Sequence, residues 1–120
     1  MGNLVSIGKM AELENGSMKE VVAEGREILL ARVEGKYYAT DNRCTHVGGK
    51  LSQGKLAGTV VTCPRHGSQF NLNDGQVVRW LNLPGPLSAI GRMIKPPQPI
   101  GTYAVKVEDD TIFIEIQPPA

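Results

Sequence analysis

Two short stretches, CTHVGG at 44–49 and CPRHGSQF at 63–70, contain every cysteine and every histidine of the 120-residue chain. The first supplies Cys44 and His46, and the second supplies Cys63 and His66. Glycine and proline lie beside these side chains, so we expect both stretches to be loops. Two thiols and two imidazoles in a pair of loops predict a metal site.

The pairing of ligand types separates three interpretations of this site. Two cysteines can be buried apolar residues with unrelated histidines nearby, but here each cysteine has a histidine within three positions. A zinc ion accepts two cysteines and two histidines, although its usual spacing pairs Cys with Cys and His with His. One cysteine and one histidine from each loop favour a two-iron cluster in which one iron takes both thiolates and the other both imidazoles.

The charge of such a cluster indicates what it is for. Two ferric ions, two bridging sulfides, two thiolates and two neutral imidazoles carry no net charge, whereas the same core with four thiolates is an anion. An electron is added more easily to a neutral core, so the reduction potential lies above that of four-cysteine clusters.

The rest of the chain predicts an all-β protein. Fourteen glycines and eight prolines indicate many turns. We expect no helix between Gly48 and Gly58, and tight turns at Glu34-Gly35, at the Asn-Asp-Gly of 73–75 and at Asp109-Asp110. The segments with strand patterns are 4–7, 18–23, 26–33, 36–41, 59–63, 102–108 and 111–116, and 69–80 has the pattern of two strands on either side of the Asn-Asp-Gly turn.

Length and composition predict a single domain over 1–120. The hydrophobic fraction of 41% and charged fraction of 21% are ordinary for a soluble globular protein. A formal charge of +1 argues against nucleic-acid binding. No apolar run reaches the length of a membrane span, and the first ten residues lack the pattern of a signal peptide. We therefore expect a cytoplasmic protein whose cysteines do not form a disulfide.

The two loops resemble the Rieske motif C-T-H-x-G…C-P-x-H-G-S-x-[YF]. ATDNRCTH at 39–46, FNLNDGQVVR at 70–79 and KPPQPIGTYAVKVEDDTIFIEI at 95–116 are also similar to segments of Rieske domains. The resemblance implies an all-β fold of stacked antiparallel sheets with a cluster-binding subdomain, about 42–100, at one tip. It implies that Cys44 and Cys63 bind the inner iron of one [2Fe-2S] cluster and that His46 and His66 bind the outer iron.

Several residue types and motifs are absent from the sequence, and their absence limits which class of Rieske protein this chain can be. Gly49 and Arg65 stand where the subunits of cytochrome bc complexes have a second cysteine pair. No histidine is left for the mononuclear iron of an oxygenase, and no glycine-rich dinucleotide motif is present. We expect a one-electron carrier, not an enzyme, between a flavin-containing reductase and a terminal oxygenase. Alternatives are a non-catalytic small subunit similar to that of nitrite reductases, or a redox-sensing module.

Two positions of the motif are expected to tune the potential. By the resemblance, Ser68 donates a hydrogen bond to a bridging sulfide, whereas Phe70 replaces a tyrosine that would donate one to a cysteine sulfur. One donor fewer predicts a potential in the lower part of the span of roughly −150 to +300 mV.

Four further residues are candidates for docking a redox partner. Arg43, Lys50 and Arg65 flank the ligands, where they serve either as docking cations or as solvated surface charges. Trp80 precedes 81–94, LNLPGPLSAIGRMI, which we interpret as an insertion rich in apolar residues. It folds back as a lid over the cluster-binding subdomain or forms a surface for a partner.

Overall fold

A computed structural model describes residues 3–44, 49–64, 67–79 and 99–116. Within these ranges the chain contains strands and two short 3-10 turns, Met10–Glu12 and Leu51–Gln53, but no α-helix. The all-β fold of antiparallel sheets predicted by the sequence is confirmed. The strands are β1 Asn3–Lys9, β2 Ser17–Ala23, β3 Arg26–Val33, β4 Lys36–Asp41, β5 Lys55–Ala57, β6 Val60–Thr62, β7 Gln69–Asn71, β8 Val77–Arg79, β9 Thr102–Tyr103, β10 Val105–Glu108 and β11 Thr111–Ile116.

Three antiparallel sheets account for all of these strands. Their strand orders are β1-β11-β10, β2-β3-β4-β9 and β5-β6-β7-β8. The third sheet and both cysteine loops lie within the range that the sequence assigns to the cluster-binding subdomain. No helix among the described residues has the length and apolar character needed to cross a bilayer.

Two-residue turns with left-handed backbone join several of the strands. Glu24-Gly25 connects β2 to β3, Glu34-Gly35 connects β3 to β4, and Asp109-Asp110 connects β10 to β11. All six residues have positive φ, between 48 and 81°, as in the type I′ turns that match the twist of a hairpin. The hairpins predicted at Glu34-Gly35 and Asp109-Asp110 are therefore confirmed, and their turns fix the register of the strands.

Strand β3 lies between two hydrophobic cores, because side chains from opposite faces of the strand belong to different cores. Successive side chains of a strand point to opposite faces, and Ile28, Leu29, Leu30 and Ala31 are all buried. We call the first core the cysteine core; its buried members are Leu29, Ala31, Cys44, Leu51, Val61, Cys63, Phe70, Leu72 and Ile100. The second core contains Ile7, Leu13, Ala23, Ile28, Leu30, Ala39, Ile112, Ile114 and Ile116.

The structure differs from the sequence prediction in two segments. The predicted strand over 102–108 is divided at Ala104, because Tyr103 pairs with Ala39 of β4 whereas Val105 pairs with Ile114 of β11. The glycine-rich stretch after the first loop contains a short strand, β5, which the sequence analysis missed. A three-residue strand is too short to show a periodic pattern, and its pairing with β6 defines it.

Candidate metal centre

The first cysteine lies at the neck of a loop that runs from 44 to 49. The Cys44 amide donates a hydrogen bond of 2.8 Å to the Gly49 carbonyl. One residue further out on each side, Arg43 and Lys50 form an isolated antiparallel bridge. Main-chain pairing on both levels therefore fixes the backbone at Cys44.

The second cysteine occupies the same position in the loop between β6 and β7. The Cys63 amide donates to the Ser68 carbonyl at 2.8 Å, and the Gly67 amide donates to the Cys63 carbonyl at 3.2 Å. Directly below this neck, Thr62 pairs with Gln69 in the β6–β7 ladder. Each cysteine thus lies where its loop begins. The first is next to the isolated Arg43–Lys50 bridge, and the second is next to the β6–β7 ladder.

Gly54 brings the chain that follows the first loop against the base of the second. A Cβ atom at Gly54 would overlap the carbonyl oxygen of Thr62 and would lie 3.1 Å from Cδ of Pro64. Only glycine permits this approach without a shift of the backbone. This contact fixes the base of the second loop relative to the segment that leaves the first.

The burial of the two cysteines suits thiolate ligands of a shared metal group. Cys44 is 3% exposed and Cys63 is 2% exposed, and both belong to the cysteine core. Neither forms a disulfide. Two buried, unbridged thiols that belong to one core have the donor chemistry that an iron–sulfur cluster requires.

The two predicted tuning residues are both fully buried beside these loops. Ser68 and Phe70 each have 0% exposure, and Phe70 shares the cysteine core with Cys44 and Cys63. Four other predicted site residues, namely His46, His66, Arg65 and Trp80, lie outside the described residues, as does the 81–94 insertion.

The two predicted docking cations at the first neck are engaged in ion pairs. Arg43 contacts both carboxylate oxygens of Glu27, with Nε–Oε1 at 3.0 Å and Nη2–Oε2 at 3.1 Å. Lys50 Nζ lies 3.0 Å from Oε1 of Glu20 and 3.3 Å from Oε2 of Glu27. The positive charges of Arg43 and Lys50 are therefore paired with carboxylates of the same chain.

Asn42 extends this network into the backbone. Its side-chain amide donates to Glu20 at 2.9 Å and to Ser52 at 2.8 Å, while its Oδ1 accepts from the Ser52 amide at 2.7 Å. Asn42 is fully buried, so these partners satisfy a polar group that burial would otherwise penalise. They connect the entry of the first loop to the 3-10 turn that follows it.

The protonation of the network follows from its hydrogen bonds. Those from Lys50 and then Asn42 lower the pKa of Glu20 below its usual 4.5. Those to Glu20 and then Glu27 raise the pKa of Lys50 above its usual 10.5. The stabilisation from Glu20 is lost as pH falls through its lowered pKa, and that from Lys50 is lost as pH rises through its raised pKa. Both groups are charged between these limits.

The sequence analysis missed Glu20, Glu27 and Asn42 as parts of the site. They lie outside the motif, and the two glutamates are on β2 and β3. The Glu24-Gly25 hairpin sets Glu20 opposite the buried Leu29, but this pairing does not indicate that Glu20 contacts Lys50.

Comparison with known proteins defines the class of this all-β protein with two cysteine loops. The model of the Rieske [2Fe-2S] domain matches residues 3–90. The ferredoxin component of a naphthalene 1,2-dioxygenase system from Pseudomonas aeruginosa is 35% identical over 105 residues, which are 88% of each chain. The chain belongs to the Rieske [2Fe-2S] domain family, and it is an electron-transfer component, not an enzyme.

Solved structures agree with this assignment. The ferredoxin of Sphingomonas yanoikuyae B1 superposes with a TM-score of 0.76 at 29% identity, covering 97% of this chain and 100% of that one. A chain from the complex of reduced oxygenase and oxidized ferredoxin in carbazole 1,9a-dioxygenase gives a TM-score of 0.76 at 25% identity, covering 93% and 92%. The fold of this chain is thus that of Rieske ferredoxins.

Proposed function

We propose that the chain carries one electron at a time on a Rieske [2Fe-2S] cluster with two cysteine and two histidine ligands. The observation that carries this proposal is the pair of buried cysteines at matching loop necks in one core. A histidine follows the first cysteine by two residues and the second by three. The proposed ligands are Cys44 and Cys63 for the inner iron and His46 and His66 for the outer iron.

The chemistry that the bound cluster supplies is reversible one-electron transfer. The chain's own residues hold the thiolates in an apolar core, away from water, on two closed backbone loops. The main-chain hydrogen bonds at the two necks would hold the thiolates in place in both the oxidised and the reduced state. The cluster-binding subdomain is proposed to extend over about 42–100, with the insertion at 81–94.

The relatives support a place in an oxygenase system. One is the ferredoxin component of a naphthalene 1,2-dioxygenase system, and a similar ferredoxin occurs in a complex with a reduced oxygenase. We propose that this chain takes electrons from a flavin-containing reductase and passes them to a terminal oxygenase. A cytoplasmic location belongs to the same proposal.

Docking of these partners is proposed to use the surface around the loops, with Arg43, Lys50, Arg65 and Trp80 as its candidate residues. The Arg43 side chain is 54% exposed although it pairs with Glu27, whereas that of Lys50 is 31% exposed. Arg43 is therefore the better placed of the two to meet an acidic partner.

The cluster itself is tested by spectroscopy of the purified protein. We expect one [2Fe-2S] cluster per chain and, after reduction, an electron paramagnetic resonance signal whose average g value lies below that of four-cysteine clusters. The reason is that histidine replaces two of the thiolates. Replacing either His46 or His66 with alanine should abolish this signal. A colourless protein that contains stoichiometric zinc contradicts the proposal.

The substitution Phe70→Tyr tests the tuning of the potential. A phenol in the cysteine core would donate a hydrogen bond to a cysteine sulfur and stabilise the reduced state. A bond stronger by about 1 kcal/mol in that state raises a one-electron potential by about 40 mV. Potentiometric titration measures the shift. Phe113→Tyr, on β11 outside the cysteine core, is the matched control and should leave the potential unchanged. An unaltered potential in Phe70→Tyr counts against the proposed position of the ring beside the cluster.

The salt dependence of electron transfer tests the docking proposal. With the terminal oxygenase of a naphthalene 1,2-dioxygenase system as acceptor, we expect the second-order rate to fall about tenfold as ionic strength rises from about 0.01 M to about 1 M. Arg43→Gln should lower the rate at low salt and flatten this dependence. Lys106→Gln, which removes an exposed, ion-paired cation from β10, is the control. A flat response in the wild type would identify these cations as ordinary surface charges.

A further inference from the structure

The neck of the first cysteine loop has an unusual arrangement of charge. Arg43 enters the loop and Lys50 leaves it, and the two residues pair across the neck. Both cations contact the same carboxylate, that of Glu27 on β3, with Arg43 Nη2–Oε1 at 3.0 Å and Lys50 Nζ–Oε2 at 3.3 Å. One side chain from the β2-β3-β4-β9 sheet therefore contacts both sides of the neck.

A main-chain contact places Glu27 next to the segment that enters the first loop. Its carbonyl accepts a hydrogen bond of 3.1 Å from the Asn42 amide, two residues before Cys44. The Asn42 carbonyl in turn accepts from the Leu51 amide at 3.0 Å, just beyond Lys50. Backbone and side-chain contacts thus connect β3 to both ends of the segment that contains the first cysteine.

Formal charge at this neck adds up to zero. Glu20 supplies the second carboxylate, 3.0 Å from Lys50, so two cations face two anions. The side chains of Glu20, Glu27 and Lys50 are only 27–32% exposed, so solvent screens them less than it screens fully exposed charges. The lowered pKa of Glu20 and the raised pKa of Lys50 agree with both of these groups being ionised at neutral pH.

We propose that Glu27 is a positioning residue for the first cysteine loop and that, together with Glu20, it holds the cluster potential low by neutralising Arg43 and Lys50. This inference rests on the proposed function, because it requires the cluster to be bound at these loops. It assigns a role in electron transfer to residues outside the metal-binding motif.

The sign of the effect follows from electrostatics. Reduction adds a negative charge to the cluster, which nearby positive charge favours and nearby negative charge opposes. Loss of a carboxylate leaves a cation unbalanced and raises the potential, whereas loss of a cation leaves a carboxylate unbalanced and lowers it. A loosened loop would instead shift every variant in one direction, since each variant breaks the same network.

The test compares Glu27→Gln with Lys50→Gln in the cluster-containing protein. At an ambient potential equal to the wild-type midpoint, we expect the ratio of reduced to oxidised cluster to rise about threefold in Glu27→Gln and to fall about threefold in Lys50→Gln. A threefold change corresponds to about 30 mV, since tenfold is 59 mV for one electron. Redox titration followed by electron paramagnetic resonance gives both ratios.

Three further variants separate the effect of charge from the effect of structure. Glu27→Asp keeps the charge on a shorter side chain, so its ratio should stay close to that of the wild type even if the cluster is lost faster. Glu108→Gln removes a carboxylate that pairs with Lys106 on β10, and it is the matched control with an unchanged ratio. Should Glu27→Gln fail to retain a cluster, Glu20→Gln tests the same charge effect with the Glu27 contacts in place, and its ratio should also rise.

The outcomes distinguish this inference from the function on which it rests. Shifts of the same sign in the carboxylate and lysine variants, or no shift in either, overturn the role of Glu27 and Glu20 while leaving the carrier function intact. A wild-type protein without a Rieske signal contradicts the proposed function itself. Opposite shifts with an unchanged Glu108→Gln control support the inference.

Discussion

The closed necks of the two cysteine loops are the constraint on which the rest of the structure depends. The Cys44 amide donates a hydrogen bond to the Gly49 carbonyl, and the Cys63 amide donates one to the Ser68 carbonyl. These two bonds fix the backbone position of each cysteine. A metal group shared by two loops tolerates little variation in the separation of its ligands. Three features fix the position of one neck relative to the other. They are the sheets, the cysteine core and the close approach at Gly54.

The β2-β3-β4-β9 sheet connects the two necks to the remainder of the protein. Strand β3 contributes Leu29 and Ala31 to the cysteine core and Ile28 and Leu30 to the second core. Strand β3, which is buried on both faces, therefore contacts the segment that enters the first loop. Glu27 lies near the start of the same strand, so the side chain that holds the neck is attached to a well-packed part of the molecule.

Much of this arrangement was predictable because it is encoded locally. The Glu-Gly and Asp-Asp turns define their hairpins, and the two cysteine–histidine stretches identify the loops without any knowledge of the fold. The features that the sequence did not predict depend on contacts between distant parts of the chain. Nothing near Ala104 shows that the strand pattern of 102–108 serves two sheets, and nothing near Glu20 shows that it meets Lys50, thirty residues away.

We propose that two loops, each with one cysteine and one histidine, hold two inequivalent irons. Mössbauer spectroscopy of the oxidised, ⁵⁷Fe-enriched protein tests this claim most directly, because it reports the ligand environment of each iron separately. We expect two quadrupole doublets of equal area, one from the iron with thiolate ligands and one from the iron with imidazole ligands. A single doublet from equivalent irons, or the absence of bound iron, would contradict it.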